Sequence, residues 1–282
     1  MYSVVVLISV MLALVSLLGA SGCTTSQERA NRIIVSGSTT ILPIAEQASE
    51  AFTAQHPTTS ILVSGLGSSA GIEAVSAGTA QIGTSSRDLK KEEQALGLVD
   101  TPIAYDGIAV IVSPSNPVNG LTMSELRRIF AGEITNWKEV GGENRPIEVV
   151  NRDEASGTRE AFKKIVMGDV AFDSAAAVLP GTGQVRDVVA RAPGAVGYIS
   201  LGFVEPRFTD IRVKALEVEG VVPSKTTVAD GKYPIGRTLH FFTKGAPTGL
   251  SKEFIDFVLS DAIQRGVVVD AGFIPIAEGG VR

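Results

Sequence analysis

The sequence predicts an α/β fold, on three observations. A short apolar run, a turn of glycine and hydroxyl residues and an amphipathic helix follow one another at residues 32–52, 60–78 and 147–167. The 30 glycines suit the tight strand-to-helix turns of such a fold. With 44% hydrophobic residues in a chain of 282, there is material for one large domain or two medium ones, and the composition is not that of a disordered chain.

Arg32 to Val35 reads as a strand leading into Ser36-Gly37-Ser38-Thr39-Thr40. The next helix tolerates Pro43 in its first turn, where a missing N–H costs nothing, and places Ile44, Ala48 and Phe52 on one face. Ser60 to Val63 is a second strand, followed by the turn Ser64 to Gly71 and a helix bearing Ile72 and Val75 that stops at Gly78. The run Ala80 to Ile82 ends in a further turn, Gly83-Thr84-Ser85-Ser86-Arg87. Ile103 to Val112 is a long apolar strand interrupted by Tyr105-Asp106-Gly107, and Pro114 and Pro117 mark the turn after it. Thr122 to Glu125 form a capping box for a helix running through Phe130. Trp137, the only tryptophan, reads as a packing residue. Ile147 to Val150 is a buried strand, Asn151 to Arg159 a turn, and Glu160 to Met167 a helix with Phe162, Ile165 and Val166 at helical spacing. Gln184 to Arg191 reads as helix, Pro193 to Ile199 as a turn into a buried strand, and Leu239 to Thr243 as another strand. Ser251 to Ser260 is the closing amphipathic helix.

A net charge of −5 with no run of Lys or Arg argues against nucleic acid and against a basic membrane-surface patch. The single cysteine, Cys23, excludes disulfides, and two histidines far apart do not make a metal centre, so neither cofactor nor metal is expected. An anion bound here must be held by local donors. The glycine/hydroxyl turns provide them, since a helix N-terminus aims backbone N–H groups and a positive dipole end at one spot. Ser156 or Thr158 can cap the third helix, and Arg152 and Arg87 add charged donors to the cage. In open α/β sheets such turns gather at the carboxyl ends of strands.

Met1 to Gln27 contains no charged residue, and Val4 to Leu18 is almost wholly apolar, the length of a signal-peptide core and short for a membrane span. Ala20-Ser21-Gly22 before the lone Cys23 resembles the lipobox of bacterial lipoproteins, with Ala20 where leucine is usual and no Lys or Arg near Met1. The preferred reading is a lipoprotein signal peptide over 1–22, lipidation at Cys23 and a tether over 23–31. An uncleaved anchor helix or ordinary secretion are the alternatives. All three place the rest of the chain outside the cytoplasm.

Together, Ser36 to Thr40, Gly67-Ser68-Ser69, Ile82 to Arg87, Ile129 to Trp137, Asn151 to Arg159 and Pro193 to Tyr198 resemble, in order and spacing, the extracytoplasmic phosphate-binding proteins of ABC importers (PstS-type) over about residues 32 to 280. The resemblance implies a two-lobed periplasmic-binding-protein fold (type II) with the ligand cleft between lobes: 32–110 with 233–282 as lobe one, 111–232 as lobe two. It implies a monomeric receptor, not an enzyme, that captures inorganic phosphate and hands it to membrane permease subunits. The implied ligand set is Ser38, Thr39 and Thr40 from the first turn, Ser68 from the second, Ser86 and Arg87 from the next, and Arg152, Ser156, Gly157 and Thr158. Ser86 stands where some relatives carry a ligand aspartate, and Ala155 replaces the more usual glycine. Asp106, a carboxylate in an apolar strand, is the expected acceptor of the phosphate proton. Two rivals are a receptor for sulfate, molybdate or tungstate, and a serine hydrolase using Ser69 of Gly67-Ser68-Ser69-Ala70-Gly71, for which only His240 follows as a base.

Overall fold

The computed structural model describes residues 31–205 and 210–277. The signal segment, Cys23 and most of the tether lie outside the described residues. Strand β1 (Arg32–Gly37) leads into α1 (Leu42–Gln55), β2 (Ser60–Gly65) into α2 (Ser68–Ser76), and β3 (Ile82–Ser85) into the irregular segment before β4 (Leu98–Val112). Then come β5 (Gly120–Leu121), α3 (Met123–Phe130), β6 (Glu148–Arg152), α4 (Gly157–Phe162), β7 (Ala177–Leu179), α5 (Thr182–Arg191) and β8 (Ala195–Ser200). The chain closes with β9 (Lys214–Ala215), β10 (Glu217–Val218), α6 (Lys225–Ala229), β11 (Gly236–Lys244), α7 (Gly249–Leu259), α8 (Asp261–Ile263) and β12 (Ile274–Pro275).

The local signals act as expected. Thr122 caps α3 with a complete capping box, Pro43 occupies the first turn of α1, and Ile44, Ala48 and Phe52 are buried on its inner face. Trp137 is buried and donates its indole N–H to the Gly194 carbonyl at 2.9 Å. The helix after Arg152 differs from its expected course: α4 starts at Gly157, and residues 163–167 widen into a π-helical turn.

The main sheet runs β2-β1-β3-β11-β4-β8-β6-β7. Strand β4 changes partners along its length. Leu98 to Gly107 pair with β11, and Ile108 to Val112 pair with β8. The apolar cores divide at the same place. One is built from β1, α1, β3, the first half of β4, the end of β11 and α7, with Phe52 edge-on to Phe254 at 5.7 Å. The other gathers α3, α4, β8 and the second half of β4, with Phe162 stacked on Tyr198 at 4.2 Å. Each buried aromatic contributes roughly 1.5–3 kcal/mol through removal of its surface from water, so each half has its own stabilising centre. Two strands, β4 and β11, pass between the halves side by side, with Asp106 opposite Arg237 and Gly107 opposite Gly236. A side chain at position 107 would collide with Val228, since a Cβ there would lie 2.7 Å from its Cγ2.

Candidate functional site

Because β2, β1 and β3 are parallel neighbours, their carboxyl ends deliver three turns to one edge of the first lobe. The turn after β6 meets them from the second lobe. The backbones touch: Ser69 N–H donates to the Ala155 carbonyl at 3.1 Å. Only glycine serves at position 67, where φ is +100° and a Cβ would lie 2.7 Å from that carbonyl oxygen. At Gly157, the first residue of α4, a Cβ would stand 2.2 Å from Ser68 Oγ. The helix N-terminus and the lobe-one hydroxyls are thus in direct contact.

The hydroxyls divide their work. Ser156 caps α4, accepting from Arg159 N–H at 3.2 Å, whereas α1 and α2 have no side-chain cap. Ser38 Oγ accepts from Thr40 N–H at 3.1 Å, and Ser68 Oγ from Ser86 N–H at 3.1 Å. The threonines reach across the cleft. Thr39 meets Thr182 at 3.0 Å, and Thr40 meets Thr158 at 3.2 Å.

An arginine lies against each of these pairs. Arg152, 1% exposed, donates to Thr39 at 3.3 Å and Thr182 at 3.2 Å, and to the carbonyls of Leu179 and Pro180 at 3.1 and 2.7 Å. Among the described residues, none of its hydrogen bonds goes to a carboxylate. Burial pushes its pKa down to about 10, opposed by the Tyr198 and Asp153 side chains nearby. Arg237 donates to Thr158 at 2.8 Å, Thr40 at 3.3 Å and the Ser86 carbonyl at 3.2 Å. Its charge is matched, because Asp106 Oδ2 accepts from its Nε and Nη2 at 2.9 and 2.7 Å. Burial pushes the Asp106 carboxyl up and the Arg237 guanidinium down, and their mutual attraction works against both shifts.

Ser38, Thr39, Thr40, Ser68, Ser86, Arg152, Ser156, Gly157 and Thr158 therefore come together where the lobes meet, and the other two expected members, Arg87 and Asp106, each hold a charged protein partner. Arg87 turns its guanidinium to Glu93, with bonds of 2.6 and 2.8 Å to the two carboxylate oxygens, and to Ser69 Oγ at 3.2 Å. It braces the lobe-one turn, because a partly buried cation beside a carboxylate binds it in preference to a distant site. Asp106 is at the cleft with its carboxylate engaged inside the protein. Oδ2 holds Arg237, and Oδ1 accepts from Ser200 Oγ at 2.8 Å. The hydrolase geometry is not formed: His240 places Nδ1 2.8 Å from Asp100 and Nε2 3.5 Å from Asp88, and Ser69 Oγ faces Arg87.

Arg237 and Thr182 are the residues that sequence reasoning missed. The signal for Arg237 was a charge at the mouth of the apolar run Leu239 to Phe242, the counterpart of Asp106 within its own strand. Thr182 carried none, since a threonine opening a helix is ordinary.

Residues 24–262 match the PBP superfamily domain. The phosphate-binding protein PstS of Bacillus subtilis (strain 168) is 37% identical over 254 residues, 89% of this chain and 83% of that protein. PstS of Borreliella burgdorferi is 32% identical over 259 residues, 89% of this chain and 92% of that one. Among solved structures, a putative phosphate ABC transporter substrate-binding protein with bound phosphate, from Clostridium perfringens, superposes with a TM-score of 0.83 at 39% identity, covering 87% of this chain and all of that one.

Proposed function

From the premise that the chain belongs to the PBP superfamily, among the PstS-type phosphate-binding proteins, we propose that it captures inorganic phosphate in the cage of Thr39, Thr40, Ser68, Ser86, Arg152, Ser156, Gly157, Thr158 and Arg237 and delivers it to an ABC-type importer in the membrane. The observation that carries this reading is Arg152: a guanidinium buried to 1% exposure, with four hydrogen bonds to neutral oxygens and, among the described residues, none to a carboxylate. A buried cation with no carboxylate bonded to it is costly, and an oxyanion beside the N-terminus of α4 and the threonine hydroxyls lowers that cost.

The lobes divide as 32–110 with 233–282 and 111–232, hinged where β4 and β11 cross, so that an anion touching both halves favours the closed arrangement. Cys23 anchors the monomeric receptor outside the cytoplasm through a lipid. The receptor binds without turnover. Calorimetric titration of the purified protein with phosphate, sulfate and molybdate tests this: the expected result is one phosphate per chain, recovered unchanged, with phosphate the tightest of the three. Absence of phosphate binding, or esterase activity abolished by Ser69→Ala, would overturn it.

A further inference from the structure

Strand β8 runs directly behind the turn that carries Arg152. It is parallel to β6, and the register pairs Glu148 with Ala195 and Val149 with Val196. Continued by two residues, the same register sets Asn151 beside Tyr198. There side chains take over from the main chain. Asn151 Oδ1 accepts from the Arg152 backbone N–H at 2.8 Å and from the Tyr198 hydroxyl. All three residues are buried. The Tyr198 ring is engaged as well, stacked on Phe162 at 4.2 Å and edge-on to Phe130 at 5.4 Å. Phe162 is the last residue of α4. One side chain therefore grips both ends of the turn from Arg152 to Thr158: the strand before it through the hydroxyl, the helix after it through the ring.

Packing alone does not call for that hydroxyl. The ring lies among phenylalanines, and a polar atom taken out of water there is costly unless it is bonded. Its bond goes to the acceptor that fixes the Arg152 backbone. Resting on the phosphate reading above, we propose that Tyr198 is a positioning residue for phosphate: its hydroxyl holds the Asn151 side chain, and Asn151 holds the point at which the Arg152 side chain leaves the main chain. The Arg152 fork meets Thr182 at 3.2 Å and Thr39 at 3.3 Å on its two terminal nitrogens. Small shifts at its root lengthen these contacts and spoil the two-pronged approach to an oxyanion. Groups held to a fraction of an ångström need supporting hydrogen bonds of their own, and the Tyr198–Asn151 pair supplies them from the side away from the first lobe.

The test is calorimetric titration of the whole receptor with phosphate, beside thermal unfolding of the same proteins without phosphate. The variants are Tyr198→Phe, Asn151→Ala, the two together, and Tyr198→Phe combined with Arg152→Lys. Tyr198→Phe keeps the ring and removes one oxygen atom, and it should weaken phosphate about tenfold. Asn151→Ala should weaken it at least as much, and the two together no more than Asn151→Ala alone, because the same bond is lost. Arg152→Lys keeps the charge and a measurable affinity but not the planar fork, so on that background loss of the hydroxyl should cost less than about twofold. Wild-type affinity in Tyr198→Phe, whatever its unfolding temperature, makes the hydroxyl a packing group and overturns the positioning role. An equal loss with and without Arg152→Lys overturns the route through Arg152. A wild type that binds no phosphate overturns the receptor reading itself.

Discussion

Arg152 and Arg237 enter the cleft from different strands, and each bonds a pair of threonine hydroxyls drawn from the two lobes, yet their charges are treated differently. Arg237 sits on a crossing strand directly opposite Asp106, and the ion pair between them is internal. Arg152 ends β6, and among the described residues its side-chain hydrogen bonds go to carbonyls and hydroxyls. The first arrangement belongs to the frame: charge cancels charge between two neighbouring strands. The second, on the proposed reading, leaves its positive charge for the phosphate. Two arginines of similar burial thus differ by a single bonded carboxylate.

The sharpest way to break the contrast is to make Arg237 resemble Arg152. Asp106→Ala strands a buried guanidinium, and loss of one partner of a buried pair costs about 3–5 kcal/mol. Thermal unfolding should show a fall of roughly 10 °C for a chain of this size. Phosphate should restore more of that loss than it adds to the wild type, because an anion in the cage now screens two free cations. An equal ligand-induced shift in both proteins would mean that Arg237 does not reach the bound anion.

Removing the other arginine gives the next largest effect. Arg152→Ala should weaken phosphate by roughly 2–5 kcal/mol, tens- to thousands-fold, while leaving the fold as stable or more stable, since a costly buried charge is gone. Normal phosphate affinity in this variant would remove the cage's central member. The contrast also predicts that Arg152→Lys recovers only part of the loss, because an ammonium lacks the planar fork that reaches Thr39 and Thr182 together.

A smaller effect is expected at the rim. Lys164 of the second lobe pairs with Asp88 of the first at 3.0 Å, and Lys90 of the first with Glu160 of the second at 3.4 Å. Both pairs bridge the lobes, and the Lys164–Asp88 side chains are 74% and 65% exposed. Exposed pairs are worth about 0–1 kcal/mol. Lys164→Ala should therefore speed phosphate release by less than about fivefold, and the difference should fade at high salt. A larger change that ignores salt would point to packing instead.

The smallest expected effect is a pH dependence at the foot of the same rim. Burial alone would lower the His240 pKa, but the Asp100 and Asp88 carboxylates outweigh it and hold it above its ordinary value. A raised pKa in the folded state means that the stabilisation is fully present below the unfolded value of about 6.5 and is lost as pH rises through the folded value. Stability measured across this interval should decline in the wild type and lie flatter in His240→Gln. Asp88, held well below the usual carboxylate range by His240 and Lys164 against the opposing effect of burial, gives the reverse trend in acid. Its contribution is present above the ordinary carboxylate value and disappears as pH falls through the folded one.

The sequence by itself determined the local elements and the turns. Apolar period, capping residues and glycines act over a few residues, so β1, α1, α3 and a cap at Ser156 or Thr158 could be read directly, and the parallel arrangement of β1, β2 and β3 brings their hydroxyls to one edge. Tertiary structure decided which charges cancel. Arg87, Arg152 and Arg237 carry the same side chain, and whether each faces a carboxylate depends on partners that are 6 residues away for Arg87 and 131 for Arg237. Asp106 could be seen as an anomaly in its strand, but its partner arrives only when β11 is laid beside β4, and that pairing turns Oδ2 to Arg237. Hydrogen-bond capacity is used up in space, not along the chain, and this is why the partners of Asp106 emerged only from the folded cleft.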